Sequence, residues 1–342
     1  NYFPFPALKH KKLLTFAGKL HINNFSCIMA NVIKIKKGLD INLKGKASDV
    51  LLNGGKSESY AIVPDYYNGI LPKVVAKVGE KVKAGSVLMI DKNRPEIKFV
   101  SPVSGEVTAV NRGEKRKVLS IVVKPDAQIE YEEFGKKNVA SLQGAEVKEV
   151  LLNAGMWPFI KQRPYDIVAA PLDTPRDIFV SAFYSAPLAP NFDFIVKGQE
   201  ADFQTGLNAL AKLTNGKVYV GVRSGSVVSG MKGVEIVEVE GPHPAANVGV
   251  QINHIKPVNK GEVVWTVNPA DVIVIGRLFN KGVADFSRMV AITGSETTER
   301  GYVKTISGCT IKSLVNGKVL GQEHIRIISG NVLTGTKVNM DG

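Results

Sequence analysis

The stretch Val78-Gly79-Glu80-Lys81-Val82-Lys83-Ala84-Gly85-Ser86-Val87-Leu88 sets two turn glycines around a valine and then enters an apolar strand. Ser101-Pro102-Val103-Ser104-Gly105-Glu106-Val107-Thr108-Ala109-Val110, followed by Gly113, repeats that rhythm. Around these halves lie short β-runs cut by glycine and proline: Val32 to Ile35, Ala61 to Val63, Lys73 to Val78, Val87 to Ile90 and Leu119 to Val123. Strands this short at this spacing belong to a sandwich or a small barrel. Two related halves narrow the choice to a barrel-sandwich hybrid over residues 29–130, the fold of lipoyl and biotinyl carrier domains.

Beyond it the pattern changes. Ala145 to Leu152 reads as a helix, and Ala201 to Leu213 as a second, because Phe203, Leu207, Leu210 and Leu213 recur at three- and four-residue intervals. Asp166 to Ala170, Phe192 to Val196, Lys217 to Val222 and Val234 to Val239 read as buried strands. Strands alternating with helices predict a parallel, Rossmann-like α/β layer over residues 145–258. After the loop from Gly241 to Val258 come Val272 to Gly276, Met289 to Gly294, Tyr302 to Thr305, a short helix at Thr310 to Val315, and Ile325 to Gly330. That order predicts a β-grasp unit over residues 271–335. The chain as a whole is expected to be a multidomain α+β protein.

Composition bounds the chemistry. With 342 residues, 44% of them hydrophobic, the chain folds as more than one domain and is neither disordered nor collagen-like. Apolar runs such as Val272 to Ile275 fall far short of the roughly 18 residues a membrane-spanning helix needs. Two cysteines, Cys27 and Cys309, supply neither a disulfide framework nor the ligands of an iron–sulfur cluster. Residues 1–28 carry Lys9, Lys11, Lys12 and Lys19 and no acid, so that setting them aside lowers the net charge from +13 to +9. They lack the apolar core of a secretory signal and are expected to be upstream sequence outside the folded part, which starts at Met29. The remaining lysines and arginines are dispersed without interleaved aromatics, which speaks against nucleic acid and for a solvated face that could meet anionic lipid or an acidic partner.

Lys92 follows Asp91 between the two hybrid halves, where carrier domains hold their acylated lysine; the stiffer Asn93-Arg94-Pro95-Glu96 that follows favours a plain hairpin. Gly241-Pro242-His243-Pro244-Ala245-Ala246-Asn247 through His254 is a shaped loop beside a strand end, where α/β sheets place their ligands. His243 and His254 lack the further ligands a zinc site requires. Arg223-Ser224-Gly225-Ser226 is a weak phosphate cradle, and the chain contains no G-x-G-x-x-G, Walker or G-x-S-x-G motif. The candidates for a quinone or partner contact are His243, Asn247 and His254, with Trp157 and Phe159 as a wall; no catalytic, cofactor-binding or metal residue is assigned.

Several strings occur in an order that resembles one family: Lys37-Gly38-Leu39-Asp40, Asp91-Lys92 with Ser101 to Gly105, and Gly155-Met156-Trp157-Pro158-Phe159-Ile160-Lys161-Gln162-Arg163-Pro164. Pro175 to Val180, Gly241-Pro242-His243-Pro244 with Asn247-Val248-Gly249, and Asp271 to Gly276 continue it. The family is the NqrA family, the A subunits of the Na+-translocating NADH:quinone oxidoreductase. It is itself similar to the C subunits of electron-transport complexes and to the flavoprotein component of respiratory complex I. The resemblance implies a peripheral subunit on the cytoplasmic face of the bacterial inner membrane, partnered by the other membrane and peripheral subunits. It implies reduction of ubiquinone by NADH coupled to Na+ export, with flavins and iron in partner subunits, quinone as the candidate ligand here, and no catalysis by the isolated chain. It also implies a family region beyond Gly342. The rival readings are a carrier acylated on Lys92 and a free-standing soluble ligand-binding module.

Overall fold

The computed structural model describes residues 31–321 and 325–341. The expectation for residues 1–28 therefore lies outside the described residues.

The two glycine-punctuated halves fold as two small antiparallel sheets. One contains Tyr60–Ile62, Val118–Pro125, Gly105–Arg112 and Lys81–Val82 in that order, the other Pro72–Val74, Val87–Asp91 and Lys98–Val100. Leu88, Met89, Ile97, Val103, Val107, Ile121 and Val123 are fully buried between them. Val107, Ile121 and Val123 alternate with more exposed neighbours, as strands facing a core on one side must.

The central layer is a seven-stranded sheet in the order Asn31–Lys34, Glu235–Glu240, Val218–Val222, Ile178–Ser181, Val264–Val267, Ile160–Arg163, Ile167–Val168. The first five strands are parallel and Ile160–Arg163 runs against both its neighbours, so the layer is mixed where a parallel one was expected. Six α-helices stand among the described residues: α1 (Gly144–Asn153), α2 (Phe192–Val196), α3 (Glu200–Ala211), α4 (Val248–Ile255), α5 (Pro269–Lys281) and α6 (Ile311–Val315). Strand periodicity divides the sheet's faces. Ile178, Val180, Val218 and Val220 enter the core shared with α3 and α5, whereas Phe179 and Val264 pack with Ile252 of α4. Helices α3 and α5 cross in close contact, because a Cβ on Gly206 would lie 2.1 Å from the Val272 carbonyl oxygen and one on Gly276 only 1.7 Å from that of Asp202.

Four expectations are corrected. Phe192 to Val196 is α2 and not a strand; Asn191 caps it, its side chain accepting from the Asp193 N–H. Val272 to Gly276 does not open the last unit. It lies within α5, capped by Asn268 with Pro269 in the first turn, and is buried continuously. The loop from Gly241 to Val258 contains α4. The opening strand leaves the hybrid unit altogether and pairs with Glu235–Glu240 as the edge of the central sheet, Val32 opposite Glu238.

The last unit is a hairpin of Ser287–Ile292 and Gly301–Ile306 with α6, to which Leu51–Leu52 adds a third, parallel strand. Ile327–Ser329 pairs with Thr336–Val338 in a separate two-stranded sheet. No helix among the described residues is long and apolar enough to cross a membrane.

Candidate functional site

The connections after Ile178–Ser181 run outward through α2 and α3 to Val218–Val222 and Glu235–Glu240, then return through α4 to Val264–Val267 on the opposite side. Such a reversal opens a crevice outside the carboxyl ends of the two diverging strands, the position where open α/β sheets hold ligands. Here those ends are the turn after Ser181 and Asn268, and the Tyr184 hydroxyl bridges them by donating to Asn268 Oδ1 at 3.3 Å.

All three units contribute to this crevice. Asp271, in the first turn of α5, accepts from Arg288 Nη2 at 3.0 Å, and Arg288 belongs to the strand that opens the last unit. Lys161 comes from the antiparallel strand beside Val264–Val267, opposite Thr266. Its ammonium stands 5.3 Å from the centre of the Tyr67 ring, supplied by the hybrid unit. Asp271 and Arg288 keep 16% and 28% of their side-chain surface, so the cluster is recessed without being sealed.

Burial dominates its electrostatics. It raises the Asp271 carboxyl above the usual value against the opposing pull of the Arg288 guanidinium, and lowers the Lys161 ammonium against the pull of Asp166 and Asp271. Burial, then the Asp271 charge, pushes the Tyr67 phenol up to about 12, and the same two causes raise Tyr184. Both phenols therefore keep their protons at neutral pH.

The candidates named from sequence do not converge. His243 sits at the carboxyl edge of the sheet, its Nδ1 3.1 Å from the Ser185 hydroxyl, one residue from Tyr184. Asn247 is the exposed N-cap residue of α4 and makes no side-chain cap bond. His254, exposed one helix length away, has Nδ1 2.8 Å from the Val250 carbonyl oxygen. Trp157 is a core residue with no exposed surface: its indole donates to the Ala169 carbonyl at 2.8 Å and meets Trp265 edge-on. Phe159 packs edge-on against Phe286, two residues before Arg288. Sequence reasoning passed over Tyr67, Lys161, Tyr184, Asn268, Asp271 and Arg288. The one local signal was Asn268-Pro269-Ala270-Asp271, a helix-start pattern whose apolar continuation hid it.

Lys92 is exposed on its hairpin, while Arg94 two residues on reaches the Val168 and Gly69 carbonyls, so this hairpin is docked rather than free. The turn at Arg223 is occupied internally, the guanidinium donating to the Val239 and Gly241 carbonyls over the Phe183 ring. Two open clefts, of about 300 and 340 Å³, lie elsewhere. The first is lined by the Arg176–Glu262 ion pair and the second by Lys98, which donates to Asn153. Space and unspent hydrogen-bonding capacity thus fall in different places, and the latter indicates recognition more directly. No group of three or more acidic, histidine or cysteine side chains that could hold a metal occurs among the described residues.

Comparison with known proteins gives one consistent outcome. Three family models match in order: the NqrA N-terminal barrel-sandwich hybrid domain over residues 33–126, the NqrA second alpha/beta domain over 142–284, and the NQRA C-terminal domain over 289–340. The chain is 37% identical over 310 residues to the A subunit of the Na(+)-translocating NADH-quinone reductase of Photorhabdus laumondii, covering 90% of this chain and 69% of that one. It is 38% identical over 309 residues to the protein of the same name from Hahella chejuensis, covering 89% and 69%. Among solved structures, a crystal structure of an NAD+-reducing [NiFe]-hydrogenase aligns at a TM-score of 0.33 and 12% identity, over 46% of this chain and 35% of that one, too loosely to bear on function.

Proposed function

Because the chain belongs to the NqrA family, the A subunits of the Na(+)-translocating NADH-quinone reductase, we propose that it works as a peripheral subunit of such a complex, contributing structure and a quinone contact to ubiquinone reduction coupled to Na+ export. The observation that carries this reading is the ordered match of all three family models along one chain. The α/β layer is read as Rossmann-like without its nucleotide fingerprint, and the last unit as a β-grasp variant. Electron transfer from NADH is assigned to flavins and iron held by partner subunits, as the family resemblance implies. Docking on the cytoplasmic face of the membrane subunits accords with its basic charge.

The quinone contact is assigned to the carboxyl edge of the central sheet, where His243 stands beside Ser185. His254, at the far end of α4, serves as an internal control. In the assembled complex, His243→Gln is expected to lower the quinone-reduction rate with binding to the partner subunits retained, and His254→Gln to leave both unchanged. If neither substitution alters rate or binding, the loop is structural and the quinone assignment fails. Loss of that binding in His243→Gln would make the loop a docking element instead. Recovery of the tagged chain from native membranes without any partner subunit would sink the subunit reading itself.

A further inference from the structure

Independently of any quinone contact, the crevice at the strand reversal holds donors with nothing to donate to. Among the described residues Lys161 Nζ has neither a hydrogen-bond nor an ion-pair partner; its neighbour is the Tyr67 ring. Arg288 commits Nη2 to Asp271, yet its buried Nε has no acceptor. A buried donor left unpaired is costly, so Arg288 Nε calls for an explanation, and half-buried Lys161 stands beside it with its charge uncommitted. Charge points the same way. Two carboxylates, Asp166 and Asp271, face three cations, since Asp166 is paired with Arg163 at 3.3 Å and Asp271 with Arg288, which leaves the Lys161 charge uncompensated. The crevice is therefore net positive even with Asp271 ionised. Its walls are two phenols that remain protonated, and Tyr184 is held by Asn268.

We propose that the crevice formed by Tyr67, Lys161, Tyr184 and Arg288 binds the anionic oxygen group, phosphate or carboxylate, of a small ligand. Lys161 supplies the free charge and the partly exposed Arg288 guanidinium a second cation. Tyr67 gives the adjoining part of the ligand a flat apolar surface. The bland alternative is that Lys161 only lays its aliphatic stem over Tyr67 and sends its charge towards solvent.

The two are separated by amine labelling of the whole chain with acetic anhydride, mapped by mass spectrometry, in sodium phosphate, sodium benzoate or sodium chloride of equal ionic strength. Phosphate or benzoate is expected to protect Lys161 but not the exposed Lys92, and the more effective anion identifies the ligand's group. Equal labelling of Lys161 in all three salts overturns the proposal, as does equal protection by chloride. Calorimetric titration with the protecting anion gives a second readout. Lys161→Gln, which breaks no ion pair, is expected to weaken binding about tenfold or more. Arg288→Lys, which keeps a cation for Asp271 but replaces the guanidinium fork by a single ammonium, is expected to weaken it less. Unchanged affinity in Lys161→Gln would overturn the site.

Discussion

Asp91 and Arg94 form an ion pair across the turn of their hairpin, Arg94 Nε donating to Asp91 Oδ2 at 2.8 Å, with the carboxylate wholly buried and the guanidinium 21% exposed. The pair also reaches outward. Asp91 Oδ1 accepts from the Leu71 N–H, and Arg94 Nη1 donates to the Val168 carbonyl in the central layer. The segment that carrier domains use to present a mobile lysine is used here to fasten the hybrid unit to its neighbour.

Removing one partner of a buried pair strands the other, at a cost of about 3 to 5 kcal/mol. Asp91→Ala is therefore expected to lower the unfolding free energy by about 3 kcal/mol, read as a clearly lower urea midpoint, with Lys92→Gln nearly neutral. Matching midpoints for the two variants would show that the pair contributes nothing.

Gly38 and His243 are fitted together just as closely. A Cβ at Gly38 would come 2.1 Å from the His243 carbonyl oxygen, which also accepts from the Leu39 N–H at 2.9 Å. In return the His243 N–H donates to Asp40 Oδ1 at 2.9 Å. Gly38→Ala is expected to cost about 1 to 3 kcal/mol as Gly38 to Asp40, a strap over the His243 loop, is forced off it, and Asp40→Ala about 1 kcal/mol. Wild-type thermal stability in Gly38→Ala would show that the strap is not clasped.

Asp285 should govern acid stability near α5. Burial alone would raise its pKa, but hydrogen bonds from Ser287, the Arg277 charge and Lys281 outweigh it and lower the value from 3.8 to about 2. A carboxylate depressed on folding stabilises the folded state above its unfolded pKa, and that contribution fades as pH falls from about 4 towards 2. Asp285→Asn is expected to lose about 1 kcal/mol at pH 7, allowing for solvent screening. The gap should close at low pH. A gap that stayed constant between pH 7 and pH 2.5 in paired denaturation curves would refute this account.

Both tryptophans, Trp157 and Trp265, have no exposed surface and meet edge-on at 5.4 Å. The folded chain should emit well to the blue of tryptophan in water and resist quenching by iodide. Ready quenching in the native state would mean that this wall of the core is open. Trp157→Phe should be destabilising, since it leaves the Ala169 carbonyl without its donor.

Legibility in the sequence followed locality. The strands Val218–Val222 and Gly301–Ile306 and the helices α1 and α3 were readable because alternation and three-four spacing are properties of neighbouring residues. α5 misled because it is buried almost all round, so its apolar run lacked the polar face that distinguishes a helix from a buried strand. His243 was legible as a residue at a strand end, as the proline-rich loop suggested, but its separation from His254 was not. The helix between them was hidden in a stretch rich in glycine and proline.

By itself the sequence determined the hybrid rhythm from Val78 to Val110, the presence of an α/β layer and, through strings such as Gly241-Pro242-His243-Pro244, the family. Only the tertiary structure decided which strands pair. Asn31–Lys34 crosses some two hundred positions to edge the central sheet, and Leu51–Leu52 joins the hairpin at Gly301–Ile306. It alone gathered Tyr67, Lys161, Asp271 and Arg288 into one crevice. The physical reason is that backbone alternation and turn chemistry act over a few residues. A strand's free edge, or a buried charge, is satisfied by whichever distant segment the packing of the whole chain brings within about 3 Å.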